Sequence, residues 1–327
     1  MGIHVYDIEL STRFRGITRR QGVLFEGPVG WAEWSPFPEY DDREAASWLC
    51  AAVEMATLGW PEPVRDKVPV NAIVPAIAPA AASQRVRAAG CMTAKVKVAE
   101  RGQTLEQDVS RVAAVREELG PRGRLRVDAN GGWSLEEAVV AIAELAQFDL
   151  EYAEQPCASV EDLVELRSLL SRRGVAVPIA ADESIRRVGD PLRVRDLGAA
   201  DVAILKVQPL GGVRRCLELA EVLRMPVVVS SALETSVGLR AGVALAAALP
   251  ELPYACGLET GSLLLDDVVT EPLRAQAGAL PVTDLVVDPQ ALERTRASDG
   301  VAGWWLKRLH RVAALVPEWR QTTGMML

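Results

Sequence analysis

Lysine is scarce in this chain: of 36 Lys and Arg residues only five are Lys (Lys67, Lys95, Lys97, Lys206 and Lys307). Histidine is scarcer still. His4 and His310 are alone and neither closes a strand-like run, which excludes a histidine-based triad or a histidine zinc site. The five cysteines (Cys50, Cys91, Cys157, Cys216 and Cys256) are scattered, odd in number and without a CxxC pair. That excludes a disulfide frame and a zinc knuckle, and points to reduced thiols in a cytoplasm. There is no long basic run, and the net charge is −8, so nucleic acid is excluded as a partner. The most apolar stretches are short or broken by Pro, as in Ala72–Ala82, which excludes a membrane span. The N-terminus carries no basic-then-apolar leader signal.

At 327 residues, 49% of them hydrophobic, the chain can bury a large core in one to three domains and is not of the disordered class. Three of the five lysines nevertheless fall inside apolar, strand-like runs: Lys95 and Lys97 within Met92–Ala99, and Lys206 within Val202–Val207. Arg stays protonated, whereas a buried Lys can lose its proton near neutral pH. A chain that uses Arg by default and buries Lys at these places points to proton chemistry.

Two textures divide the chain. Residues 1–70 alternate and carry turn residues, which predicts a three-stranded meander with loops at 13–22 and 35–42, then a helix over Asp42–Leu58. Ala45, Trp48, Leu49, Ala52 and Met55 share one face of that helix. From about residue 70, short runs apolar on both faces alternate with helix-period stretches. The runs are Val70–Val74, Ala94–Val98, Leu125–Val127, Leu150–Ala153, Val177–Ala181, Val202–Val207, Val227–Val229 and Tyr254–Leu258. Such runs between helices mean parallel βαβ units. Eight of them, spaced by roughly two to three dozen residues, suggest a β/α barrel.

Chemistry in such a barrel sits at the C-terminal ends of the strands. Here these ends read Lys97, Asp128, Glu154, Asp182-Glu183 and Lys206 on consecutive strands. One acid after a strand reads as a helix cap; three on successive strands, flanked by Lys, read as a metal site. Carboxylates converging on one mouth repel one another, and oxygen-only ligands favour Mg²⁺, with Mn²⁺ able to substitute. Alternation sends only one of Asp182 and Glu183 inward and leaves open which. Lys95 and Lys97 share a face, Lys97 nearer the mouth as the base, with Lys206 on the opposite wall. A carbon acid held between Lys97 and Lys206 could be deprotonated to an enediolate stabilised by the metal.

The pattern Lys95-Val96-Lys97, Val127-Asp128-Ala129-Asn130, Glu154-Gln155-Pro156, Ala181-Asp182-Glu183-Ser184 and Ile204-Leu205-Lys206 resembles the enolase superfamily, in its muconate-lactonising subgroup. The resemblance runs nearly the whole chain. It implies a (β/α)7β TIM-type barrel with an N-terminal α+β capping domain (residues 1–70), a barrel over 71–265 and a closing segment over 266–327 that returns to the cap. It chooses Asp182 over Glu183 as the third metal ligand beside Asp128 and Glu154. Within the subgroup, the compact loop 13–22 and the stretches Leu205–Gly212 and Ser230–Thr235 look most like the actinobacterial o-succinylbenzoate synthase family. That implies dehydration of a succinyl-hydroxycyclohexadiene carboxylate in menaquinone biosynthesis. Lys97 and Lys206 are then catalytic, and Lys95, Asn130, Ser231 and Gly257 bind the small-molecule substrate.

Racemases of N-acylamino acids and dipeptide epimerases share the same five catalytic positions and form the alternative. A Schiff-base aldolase using Lys206 and a non-catalytic ligand-binding barrel are further alternatives. Arg13, Arg15, Arg19 and Arg20 could clamp a carboxylate from the cap, with at least two of the four read as solvated turn. Gly211-Gly212 reads as a tight turn, and Glu259 is expected to point away from the site. Trp304-Trp305 begins a helix packing on the barrel or on a partner subunit.

Overall fold

The structure, a computed structural model, describes residues 2–186 and 190–319. An antiparallel meander opens the chain: β1 (Ile3–Phe14), β2 (Ile17–Glu26) and β3 (Trp31–Trp34). It is backed by α1 (Asp42–Thr57), which starts where the Asp41 side chain accepts the Glu44 N–H. The helix buries Ala45, Trp48, Leu49, Ala52 and Met55, the face that its periodicity predicts. The predicted loop 13–22 is corrected. β1 and β2 pair from Ile3↔Phe25 to Glu9↔Arg19 and, after a register irregularity, again at Phe14↔Ile17, and they are joined by Arg15-Gly16, both in left-handed backbone conformation (φ 49° and 79°). Pairing satisfies backbone groups that a ten-residue loop would leave to solvent.

Next come β4 (Lys67–Pro69), β5 (Ala72–Val74), α2 (Pro79–Ala89), β6 (Thr93–Lys97), α3 (Leu105–Leu119), β7 (Arg124–Asp128), α4 (Leu135–Leu145), β8 (Leu150–Glu154) and α5 (Val160–Arg172). They are followed by β9 (Ile179–Ala181), α6 (Asp190–Asp196), β10 (Val202–Lys206), α7 (Val207–Leu210), α8 (Val213–Leu223), β11 (Val227–Ser230) and α9 (Ser236–Ala248). Strands β5 to β11 form a seven-stranded parallel sheet in sequence order, the arrangement that repeated βα units impose. Thr104 and Ser134 build capping boxes at α3 and α4, which is why those helices begin where they do.

The eighth apolar run closes the ring as two isolated parallel bridges, Val70↔Cys256 and Ser230↔Gly257, and not as a regular strand. Asn71 N–H donates to the Cys256 carbonyl (3.0 Å) and Gly257 N–H to that of Val229 (2.8 Å). The sheet is thereby a closed barrel.

Beyond the barrel, β12 (Ala279–Pro281) pairs antiparallel with β4, and α10 (Pro289–Arg294) leads into α11 (Asp299–Ala313). The chain here returns to the meander. Trp305 is fully buried edge-on against Trp34 (centroids 5.6 Å apart), and Arg308 donates to the carbonyls of Pro36, Phe37 and Tyr40. The buried Trp of the pair therefore packs on the cap of its own chain, and not on the barrel or a partner, while Trp304 stays 46% exposed.

Trp305→Ala should therefore destabilise the cap by about 3–5 kcal/mol, read as a lowered denaturant midpoint by circular dichroism. An unchanged midpoint would mean that α11 is not part of the cap's core.

Candidate active site

Parallel register places Lys97 on β6 opposite Asp128 on β7, and Asp128 opposite Glu154 on β8. These groups form one rung at the C-terminal mouth of the barrel. Asp182 follows β9 directly, and Lys206 ends β10 beside Ser230 of β11. Asp128, Glu154 and Asp182 are each about 1% exposed. The side chains meet as cations on anions. Lys95 Nζ lies 2.5 Å from Glu154 Oε1 and 3.1 Å from Asp128 Oδ2. Lys97 Nζ lies 2.6 Å from Asp128 Oδ2 and donates to Asn130 Oδ1 at 2.5 Å. Lys206 Nζ lies 2.6 Å from Asp182 Oδ2.

Asp182 and Glu183 differ in their contacts. Asp182 is buried on Lys206, whereas Glu183 is partly exposed and accepts from Arg186 (2.6 Å) and Asn130 Nδ2 (3.1 Å). Arg186 also reaches Asp182 Oδ2 at 2.8 Å. Gln155 braces this wall: its Oε1 accepts the backbone N–H of Asp182 (2.9 Å) and of Ser184 (3.1 Å).

These contacts set the proton affinities. Burial alone would raise the carboxyls of Asp128 and Asp182. Lys95 and Lys97 on the one, and Arg186 and Lys206 on the other, outweigh it and hold both well below the usual range. Glu154 goes the other way, pushed up to about 7 by burial and by the Asp128 charge. Burial opposes the Lys95 ammonium, yet Asp128 and Glu154 keep its proton bound more tightly than usual. Lys206 is lowered by burial and by Arg186, against the pull of Asp182.

One cavity between cap and barrel joins Lys95, Lys97, Lys206, Asp128, Asp182 and Asn130 to Ser231 and Gly257. Ser231 Oγ is held by the Gly257 carbonyl (2.9 Å) and Thr260 (2.7 Å). Gly257 needs its lack of a side chain, since a Cβ there would sit 2.6 Å from Ser230 Oγ. Glu259 is turned away, accepting the Ala275 N–H at 3.1 Å. His4 and His310 lie outside the cavity.

The cap supplies residues that sequence reasoning missed: Phe14, Phe37, Tyr40 and Trp48 line the same cavity, as does Arg186. Lys97 Nζ sits 5.2 Å from the Phe14 ring centre. Glu33 of β3 is buried and fastens cap to barrel. Its oxygens accept from Tyr6 (2.7 Å), Ser35 (2.7 Å) and the start of α9 at Thr235 Oγ1 (2.5 Å) and Gly238 N (3.1 Å). Burial, with Glu234 beside it, pushes the Glu33 carboxyl up to about 7.

As arranged, each of the three ring carboxylates turns to a cationic side chain. Among the described residues no three acidic, His or Cys groups converge on one point. Two carboxylate oxygens, Glu154 Oε2 in the ring and Glu183 Oε2 beside it, are buried without a hydrogen-bond partner. Three buried all-oxygen donors with one lone pair set unspent suit a hard divalent ion.

The Glu154 shift has a testable sign in protein stripped of divalent cations. A carboxyl raised from 4.5 to about 7 on folding contributes stability that is complete below pH 4.5 and is lost as pH rises through about 7. Up to about 3 kcal/mol of unfolding free energy should go over that window, and Glu154→Gln should flatten the slope. Asp128 and Asp182 act in a separate window, losing their contribution only as pH falls below the ordinary carboxylate range. Denaturation at a series of pH values would show the slope; a flat wild-type profile over pH 5–8 would refute it.

The chain is similar to known proteins along its length. Residues 78–286 match the enolase C-terminal domain-like family and residues 5–56 the enolase N-terminal domain-like family. It is 58% identical to an o-succinylbenzoate synthase from Thermobifida fusca, over 97% of this chain and 96% of that protein. It is 50% identical to an o-succinylbenzoate synthase from Mycolicibacterium smegmatis, over 96% of each. Among solved structures, a muconate lactonizing enzyme from Pseudomonas fluorescens complexed with muconolactone superposes with TM-score 0.77 at 21% identity. It covers 90% of this chain and 98% of that one, a likeness of fold. Full-length identity at this level and the acid–lysine ring at the barrel mouth agree, and the chain belongs to the o-succinylbenzoate synthase family of the enolase superfamily.

Proposed function

We propose that the chain is a carbon–oxygen lyase that dehydrates a succinyl-hydroxycyclohexadiene carboxylate to an aromatic acid, the o-succinylbenzoate synthase reaction of menaquinone biosynthesis. The observation that carries this reading is that Lys97 and Lys206, four strands apart, line one cavity with Asp128 and Asp182 between them. Lys97 Nζ takes the proton from the carbon beside the substrate's carboxylate, leaving an enediolate. The same group then returns that proton to the departing hydroxyl as the C–O bond breaks, so that water leaves and the ring becomes aromatic. Lys206 keeps a positive charge beside the planar intermediate. Asp128, Glu154 and Asp182 would hold Mg²⁺, or Mn²⁺ in its place, which when bound supplies positive charge for the substrate carboxylate. Lys95 spans two of these acids and fixes them, and Lys95, Asn130, Ser231 and Gly257 border the bound substrate. Residues 1–70 serve as the cap, 71–265 as the barrel and 266–327 as the segment that ties the two.

Two further features fit this setting. All five cysteines are free, as in a reducing cytoplasm. No helix among the described residues is long and apolar enough to cross a membrane.

Three variants, removal of divalent cations and a substrate panel test the reading. Lys97→Arg keeps charge and loses basicity, so turnover should fall on the order of 10³-fold. Lys206→Arg should be milder. Asp182→Ala should abolish turnover, and excess EDTA should stop the wild-type enzyme until Mg²⁺ or Mn²⁺ is returned. In a parallel assay on the cyclohexadiene carboxylate and a panel of N-acylamino acids, dehydration should dominate. Racemisation without dehydration, with equal collapse of both lysine variants, would establish the alternative two-base racemase. Full activity in EDTA would contradict the metal site.

A further inference from the structure

The four cap arginines have separate fates. Arg13 is exposed, and Arg19 is spent on Asp7 (2.8 Å). Arg20 is buried with its donors spent, on the carbonyls of Gln21, Ala232 and Leu233 and on Ser35. Arg15 alone of the four lines the cavity that holds Lys97 and Lys206.

Three observations set Arg15 apart. It occupies the first turn position of the β1–β2 hairpin at φ 49°, where Gly or Asn would be the inexpensive choice and a long side chain costs about 1 kcal/mol. Its guanidinium is stacked 3.8 Å over the Phe37 ring, and Nη2 donates to the Tyr40 hydroxyl at 2.8 Å. Nη1 makes no hydrogen bond and is ion-paired at 3.4 Å with the exposed carboxylate of Glu39. Tyr40 oxygen also accepts from Arg186 Nη1 (3.1 Å), so both its lone pairs are used and it can add only as a donor. A stacked guanidinium whose Nη1 is held only by one exposed surface carboxylate, without a hydrogen bond, beside a phenol with an O–H to give, is a receptor for a carboxylate. The adjacent residue, Phe14, lies over Lys97. One dipeptide at the hairpin tip thus spans the cavity from the proton-transfer end to the cap end.

We propose that Arg15, with the Tyr40 hydroxyl, binds the carboxylate at the far end of the substrate's succinyl chain and so selects a dianion over a substrate with one acid. This rests on the dehydratase reading above. It also separates the roles of the two acid groups. The carboxylate beside the acidic carbon belongs to the barrel mouth, and the tail carboxylate belongs to the cap.

The test compares kcat/KM on two substrates, the diacid and the same cyclohexadiene with its succinyl chain ending in a methyl ester. Arg15→Gln should lower kcat/KM on the diacid about 100-fold and on the ester less than about threefold, with Arg15→Lys in between. Arg15→Gly relieves the left-handed backbone and removes the guanidinium, so it should fold at least as well and show the same selective loss. Arg13→Gln, exposed on the same hairpin, should change neither rate. Equal losses on both substrates would make Arg15 a strut of the hairpin and overturn the inference, as would no loss on either. If wild-type protein itself fails to dehydrate the diacid, the dehydratase reading falls and takes this inference with it, an outcome distinguished by where the failure sits.

Discussion

Charge that is buried must be balanced, and the barrel mouth of this protein is where that constraint acts. Asp128, Glu154 and Asp182 are almost wholly withdrawn from water. Any one of them left ionised and alone would cost several kcal/mol. Lys95, Lys97, Lys206 and Arg186 lie within 3.1 Å of those acids and make the ring tolerable. The balance holds only in one register, because sliding a strand by a single residue would send its acid or lysine into the helix layer. Even so it is incomplete. Glu154 keeps an oxygen without a partner and an elevated proton affinity.

The cap completes the site by closing it. Glu33 carries the meander onto the start of α9, Arg308 binds the turn after β3 from the far end of the chain, and Trp305 seals against Trp34. These contacts fix the β1–β2 hairpin, whose tip delivers Phe14 and Arg15 over the lysine ring. The cavity is thus walled by the barrel mouth on one side and by the cap on the other.

Much of this was legible in the amino-acid order. Strands buried on both faces betray themselves as short apolar runs, and ionisable residues closing such runs have few structural explanations. The barrel strands and the acid–lysine ring could therefore be read from residues such as Lys97, Asp128 and Lys206. Helix starts at Thr104 and Ser134 follow from side-chain capping. What could not be read depends on partners distant in sequence. The eighth run, Tyr254–Leu258, was legible as apolar, but not that it closes the ring by two bridges at Cys256 and Gly257 in place of a regular strand. Alternation weakens between Arg13 and Gly22, which reads as a loop, whereas the strands pair again at Phe14↔Ile17 beyond an irregularity in register. Arg186, Tyr40 and Glu33 bear no motif; only the packing of cap on barrel reveals them.

Asp128, Glu154 and Asp182 are proposed to hold one divalent cation. Crystals soaked in Mn²⁺ and measured at its absorption edge test it directly. The account expects one anomalous peak per chain, bounded by the carboxylates of Asp128, Glu154 and Asp182, with Glu154 Oε2 among its ligands. A peak elsewhere, or none at saturating Mn²⁺, would contradict it.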